Sequence, residues 1–255
     1  MKLKPLLILM LLQIALLAEA QTPLTVAHRG AWKNTNAPEN SIEALLQAEK
    51  QKLWAVEFDV HQTKDSVLVV NHDPDFYGID IATSKFQNML SKKLANNEII
   101  PTAEAFINTA MEQTNLHLIC EIKSSPLGVE ASLNTAEKAV ALVRALNAQQ
   151  RVDFIAFSWE VCLRIKEIAP EFEVSYLNGD KTPAQVKAAN LDGIDYNYQT
   201  FLNNPQWINE AKDLGLKLNV WTVNNKELLQ KFTNYKFDYM TTDEPELLTE
   251  IINEL

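Results

Sequence analysis

Short, nearly continuous apolar runs alternate along the chain with longer segments whose apolar positions recur every three or four residues. Runs of the first kind read as strands buried on both faces, and segments of the second kind as amphipathic helices. The strand-like runs cover residues 24–28, 55–60, 116–122, 152–157, 173–177, 193–198, 217–223 and 238–242. Helix-like segments lie between them, at 41–52, 102–113, 133–147, 160–169, 183–189, 205–214, 226–233 and 245–253. Asn40 with Glu43 reads as a capping box, while Thr102 after Pro101 and Asp243 before Pro245 mark two further helix starts. Eight strands, each followed by a helix, predict an α/β fold of the closed parallel (β/α)8 TIM-barrel type. An open doubly wound sheet would need a glycine-rich phosphate turn after the first strand, and Gly30 stands alone there. One stretch breaks the alternation. A β-like run at 67–70 and an aperiodic segment at 74–98 predict an insertion over about residues 67–100, after the second strand.

Composition changes this picture at the N-terminus. Lys2 and Lys4 precede an apolar run that ends near Leu17, followed by Ala18-Glu19-Ala20. This is the pattern of a signal peptide over residues 1–20, cleaved near Ala20, and it predicts a periplasmic or secreted chain with no membrane span in its mature form. Residues 21–255 then form one domain. The formal net charge is −10. Such a surface repels nucleic acid and anionic membranes, so an anionic small molecule needs local positive charge to bind. Cys120 and Cys162, the two cysteines, fall in apolar runs and read as buried free thiols.

Barrel enzymes place their chemistry at the C-terminal ends of the strands. Those ends carry His28-Arg29-Gly30, Glu57-Phe58-Asp59 with His61, and Glu121-Ile122-Lys123, and the extra β-like run leads to His72-Asp73. Residues two apart on a strand share a face, so Glu57 and Asp59 point together while Val56, Phe58 and Val60 point the other way. Glu121 and Lys123 repeat the relation. Converging acids in a partly dry site need compensation. A divalent cation supplies it, and oxygen ligands suit Mg²⁺ or Ca²⁺. A salt-bridge network with Arg29 and Lys123 is the alternative. His28 and His72 would form an acid–base pair on either side of the cation. His61 reads as a supporting or surface residue, and His117 as a structural one near the N-terminal end of its strand.

In order and spacing, His28-Arg29-Gly30, Pro38-Glu39-Asn40-Ser41, Glu57-Phe58-Asp59-Val60, Thr63-Lys64-Asp65 and His72-Asp73 resemble the glycerophosphodiester phosphodiesterase family. Ile100-Pro101-Thr102, Glu121-Ile122-Lys123 and Trp221-Thr222-Val223 resemble its later blocks. The resemblance implies a metal-dependent hydrolase that cleaves glycerophosphodiesters to glycerol 3-phosphate and an alcohol. It implies that Glu57, Asp59 and Glu121 hold the cation and that His28 and His72 are the general acid and base. Arg29 and Lys123 would bind phosphate, Glu39 and Asn40 would sit at the rim, and Trp221 would wall the glycerol. The stretch after Asp73 lacks the family's usual Arg-Thr-Thr, which leaves the head group open. Action on intact phospholipid, or a non-catalytic barrel binding a phosphorylated ligand, are the rival readings.

Overall fold

The structure, a computed structural model, describes residues 22–254. The signal-peptide expectation for residues 1–20 lies outside the described residues. Eight parallel strands close into a barrel: β1 (Leu24–Ala27), β2 (Ala55–Gln62), β6 (His117–Ile122), β7 (Val152–Ala156), β8 (Val174–Tyr176), β9 (Gly193–Asn197), β10 (Lys217–Trp221) and β11 (Tyr239–Thr242). The three strands between β2 and β6 belong to the insertion: β3 (Leu68–Val70), β4 (Asp75–Phe76) and β5 (Ile79–Asp80). Around the barrel the order is β1-β11-β10-β9-β8-β7-β6-β2, and pairing of β1 with β2 closes the ring. The expected (β/α)8 architecture is thus the one observed.

The two-residue strand period divides each strand between two cores. Outward-facing Val56, Phe58, Val60, Leu118, Cys120 and Ile122 join the large core beneath the helices. Inward-facing Val26, Ala55, Ile119, Ile155 and Leu177 fill the barrel. Phe58 is fully buried and stacks on Phe106 of helix Ala103–Gln113, with ring centroids 4.7 Å apart. Burying a phenyl ring contributes about 1.5–3 kcal/mol, and here it fixes which way the neighbouring Glu57 and Asp59 point. Cys120 and Cys162 are both free and buried.

The N-terminal end of the barrel is plugged. Trp54 lies flat between His117, at 5.0 Å, and Tyr239, at 4.3 Å. His117 Nε2 meets Asp153 Oδ2 at 2.8 Å, in keeping with the structural role expected of it. The C-terminal end is open and carries the insertion. There β3 runs antiparallel to β2, with Val60 opposite Val70, and β4 and β5 form a two-stranded hairpin. Val69, Phe76, Ile81, Met89 and Ile100 give this excursion a core of its own.

Two helix starts differ from the sequence reading. Helix Ile42–Lys50 is capped by Ser41, whose hydroxyl accepts from Ala44 N, and not by Asn40. The Glu98 carboxylate, reaching back from the insertion, accepts from Ile42 N and Glu43 N. It occupies the position that the expected Asn40–Glu43 box would have filled. Asp243 does not cap helix Pro245–Asn253. Its N-cap position is Glu244, which makes no side-chain capping bond. Thr102 does cap the helix that follows it, accepting from Ala105 N. Two short helices, Phe86–Met89 and Tyr198–Asn203, fall where no period was legible.

Candidate active site

The open mouth of the barrel holds a cavity of about 120 Å³. His28, Arg29, Glu57, His72, Glu121, Lys123 and Trp221 line it, so seven sequence-predicted positions from β1, β2, β6, β10 and the insertion meet in one place. Asp59 is not part of the lining but is bound by Lys123 and Arg29, which are. Glu39 and Asn40 line an adjoining groove with Trp32, Asp73 and Tyr77. They reach the cavity only through the partners described below.

One carboxylate oxygen from each of Glu57, Asp59 and Glu121 lies within 4.8 Å of the others. All three residues are buried, with 2%, 1% and 8% exposure. Burial, reinforced by the charges of Asp59 and Glu121, pushes the Glu57 carboxyl well above its ordinary range. Burial and Asp59 likewise push Glu121 up to about 7, against the pull of Lys123. Burial also raises Asp59, but the Lys123 ammonium and the Asn40 amide outweigh it and hold this carboxyl low.

Basic groups answer part of this charge. Lys123 Nζ lies 3.1 Å from Asp59 and 2.8 Å from Glu121. Arg29 Nε stands 3.6 Å from Asp59, and its Nη1 donates to Glu39 at 2.9 Å. The salt-bridge alternative is therefore partly realised, and Glu57 shows where it stops. Its Oε2 accepts from Arg29 N at 2.9 Å, while its Oε1 is buried with no partner. An orphaned carboxyl oxygen beside two other acids is costly to maintain. The donor set, three carboxylates and no sulfur or nitrogen, fits a hard divalent cation.

Local backbone geometry aims these groups. Arg29, Gly30 and Asn40 all take positive φ, at 57°, 86° and 57°. A Cβ at Gly30 would fall 2.7 Å from the Cβ of Ala44, so only glycine lets the turn after β1 lie against the first helix. The left-handed Asn40 is thereby free to clamp Asp59. Its Nδ2 donates to Oδ2 at 2.8 Å and its Oδ1 accepts from Asp59 N at 3.2 Å.

The two cavity histidines are held alike. His28 Nδ1 bonds Asp243 Oδ1 at 2.7 Å, and His72 Nδ1 bonds Asp73 Oδ1 at 2.7 Å. An ionised aspartate at Nδ1 selects the tautomer with its proton there and leaves Nε2 as the acceptor. Asn224 Nδ2 holds the other Asp243 oxygen at 2.6 Å. Burial raises Asp243, but the bonds from His28 and Asn224 outweigh it and the carboxyl sits below its ordinary range. His61 is buried rather than on the surface, and its Nε2 meets the His72 carbonyl at 3.1 Å. It supports the loop that carries His72.

Sequence reasoning missed Asp243 and Asp195. Asp243 follows the last residue of β11, the place where barrel chemistry sits, but its Pro-containing context reads as a helix start. Asp195 sits within β9 and also lines the cavity. Trp221 faces the cavity edge-on to Phe157, at 5.5 Å, and its Nε1 donates to the Asp195 carbonyl at 2.8 Å.

Comparison with known proteins places the chain in a family. The model of the glycerophosphoryl diester phosphodiesterase family matches residues 28–247. A glycerophosphodiester phosphodiesterase of Caldanaerobacter subterraneus subsp. tengcongensis is 28% identical over 246 residues, covering 91% of this chain and 98% of that one. The crystal structure of a glycerophosphodiester phosphodiesterase from Parabacteroides distasonis is 35% identical and superposes with a TM-score of 0.89, over 92% of this chain and 98% of that one. An Oleispira antarctica phosphodiesterase, solved with the product sn-glycerol-3-phosphate, shares the fold at 22% identity and a TM-score of 0.77, over 91% of this chain and 97% of that one.

Proposed function

This chain belongs to the glycerophosphoryl diester phosphodiesterase family and is a phosphoric diester hydrolase, and from that premise we propose that it cleaves glycerophosphodiesters to glycerol 3-phosphate and an alcohol, using a divalent cation and a histidine pair. The observation that carries the reading is the cluster of three buried carboxylates, with Glu57 Oε1 left without any partner, beside a cavity lined by two histidines each tied through Nδ1 to an aspartate.

In this reading Glu57, Asp59 and Glu121 hold Mg²⁺ or Ca²⁺. When bound, such a cation withdraws charge from the phosphoryl oxygens. Arg29 and Lys123 donate to the phosphate, giving the local positive charge that so acidic a chain requires. Trp221 and Phe157 exclude water from the glycerol side. One histidine takes the proton of the glycerol hydroxyl next to the phosphoester carbon, at Nε2. That hydroxyl oxygen attacks phosphorus, and the bond from phosphorus to the head-group oxygen breaks. The second histidine delivers a proton to the departing alcohol. A cyclic phosphate results, as the family resemblance implies. Water opens it with the histidine roles reversed, giving glycerol 3-phosphate. Asp243 and Asp73 keep each imidazole in the tautomer that this exchange needs.

A cavity of about 120 Å³ suits a group of glycerol-phosphate size. No described helix is long and apolar enough to cross a membrane. The leader-like residues 1–20 support export. The test is a panel of glycerophosphodiesters with different head groups, assayed for glycerol 3-phosphate with Mg²⁺, with Ca²⁺ and with chelator. Release that needs a cation supports the reading, and full rates in chelator contradict it.

A further inference from the structure

The cavity has two unlike halves. Its charged chemistry lies on β1, β2 and β6, which are neighbours in the ring. The other half, from β7 to β10, supplies Ile155, Phe157, Leu177 and Trp221. Within that apolar wall stands one carboxyl group. Asp195 lies on β9, four strands from β2 in either direction and so across the barrel from Glu57 and Asp59. It is 2% exposed, and its Oδ1 is buried without a hydrogen-bond partner. The Trp221 indole, bonded to the Asp195 carbonyl, holds this stretch of strand against the cavity wall.

A buried carboxyl oxygen left without a partner beside an apolar wall is costly unless whatever fills the cavity satisfies it. Burial, with the charge of Glu121 adding to it and the Asn219 amide opposing, pushes this carboxyl up to about 7. Ionised or protonated, such a carboxyl can hydrogen-bond an alcohol, whereas its negative charge would repel a phosphate. With phosphate held by Arg29 and Lys123, the reading above sets the glycerol end against the far wall, beside Trp221 and Phe157, and the departing head group toward the open mouth.

We propose that Asp195 is a specificity-determining residue that hydrogen-bonds the glycerol hydroxyl farthest from the phosphate. The inference rests on the phosphodiesterase reading above and adds the part of the substrate that reading leaves unrecognised: a polyol end with a free terminal hydroxyl. The competing role is structural. Asp195 also borders a void of about 20 Å³ inside the barrel, beside Glu173, Ser175 and Asn219, which is large enough for one water.

A substrate comparison separates the two roles. The probes are a glycerophosphodiester and the matching propane-1,2-diol phosphodiester, which keeps the hydroxyl next to the phosphoester carbon and lacks the terminal one. The wild type should favour the glycerol diester in kcat/KM by about 10- to 100-fold, the span expected of one hydrogen bond to a partly charged group. Asp195→Ala should lose a similar factor on the glycerol diester and almost nothing on the propanediol diester, so that the preference vanishes. Asp195→Asn, which keeps the shape and an acceptor, should retain much of the preference. Equal wild-type rates on the two diesters, or an equal loss on both in Asp195→Ala, would overturn the proposal. Hydrolysis of neither diester by the wild type would overturn the phosphodiesterase reading itself, and this inference with it.

Discussion

Asp243 and Asp73 do for the two histidines what Asn40 does for Asp59: each fixes one atom so that another is free to act. Asp243→Ala leaves His28 in place but frees its ring and its tautomer. A fall in kcat of about 10²- to 10⁴-fold is expected, the range of a lost general acid or base, with the pH–rate profile displaced and cation affinity unchanged. An unaltered profile would make the pair a mere salt bridge. Asn40→Ala removes both bonds to Asp59, so weaker cation binding in titration calorimetry is expected, with secondary structure intact by circular dichroism. The acids themselves were legible because Glu57 and Asp59 sit two apart on a strand whose other face is plainly apolar. Asp195 has the same inward placement, yet Gly193-Ile194-Asp195 carries no such contrast. Only closure of the ring brings it opposite Glu57.

At the scale of elements, β2 depends on what lies behind it. Phe58→Ala should cost about 3–5 kcal/mol, measurable by denaturant unfolding with cation present. The loss should come from the Phe106 stack and the emptied core rather than from the site. All eight barrel strands were readable as apolar runs because parallel strands are covered on both sides. The insertion was readable only as a break in the pattern. Its core is assembled from Val69, Phe76, Ile81, Met89 and Ile100, residues spaced by pairing and turns rather than by a helical or strand period. The cap at Ile42 was illegible for a related reason. Its acceptor, Glu98, comes from 56 residues away, and no local pattern reports that.

For the whole molecule, closing the barrel forces like charges together, and the consequence shows in stability against pH. Glu57 and Glu121 are raised above their ordinary values in the cation-free protein. From about 4.5, where an unfolded glutamate loses its proton, up to about 7 for Glu121, the folded state holds protons that the unfolded state has released, and Glu57 acts in the same direction. Stability without cation therefore falls as pH rises through that window, and the penalty is absent below it. In chelator the melting temperature should drop between about pH 5 and pH 7.5. Added Mg²⁺ or Ca²⁺ should raise it more at the higher pH, since binding requires the deprotonated acids. Equal shifts at both pH values would mean that the cation binds elsewhere.

The most direct measurement is an anomalous-scattering map from crystals soaked with Mn²⁺ in place of Mg²⁺. A single strong peak is expected within about 2–2.6 Å of one oxygen each from Glu57, Asp59 and Glu121, and it should vanish in Glu57→Gln crystals. A map with no peak among those oxygens, from protein that still releases glycerol 3-phosphate in the same soak, would contradict the account.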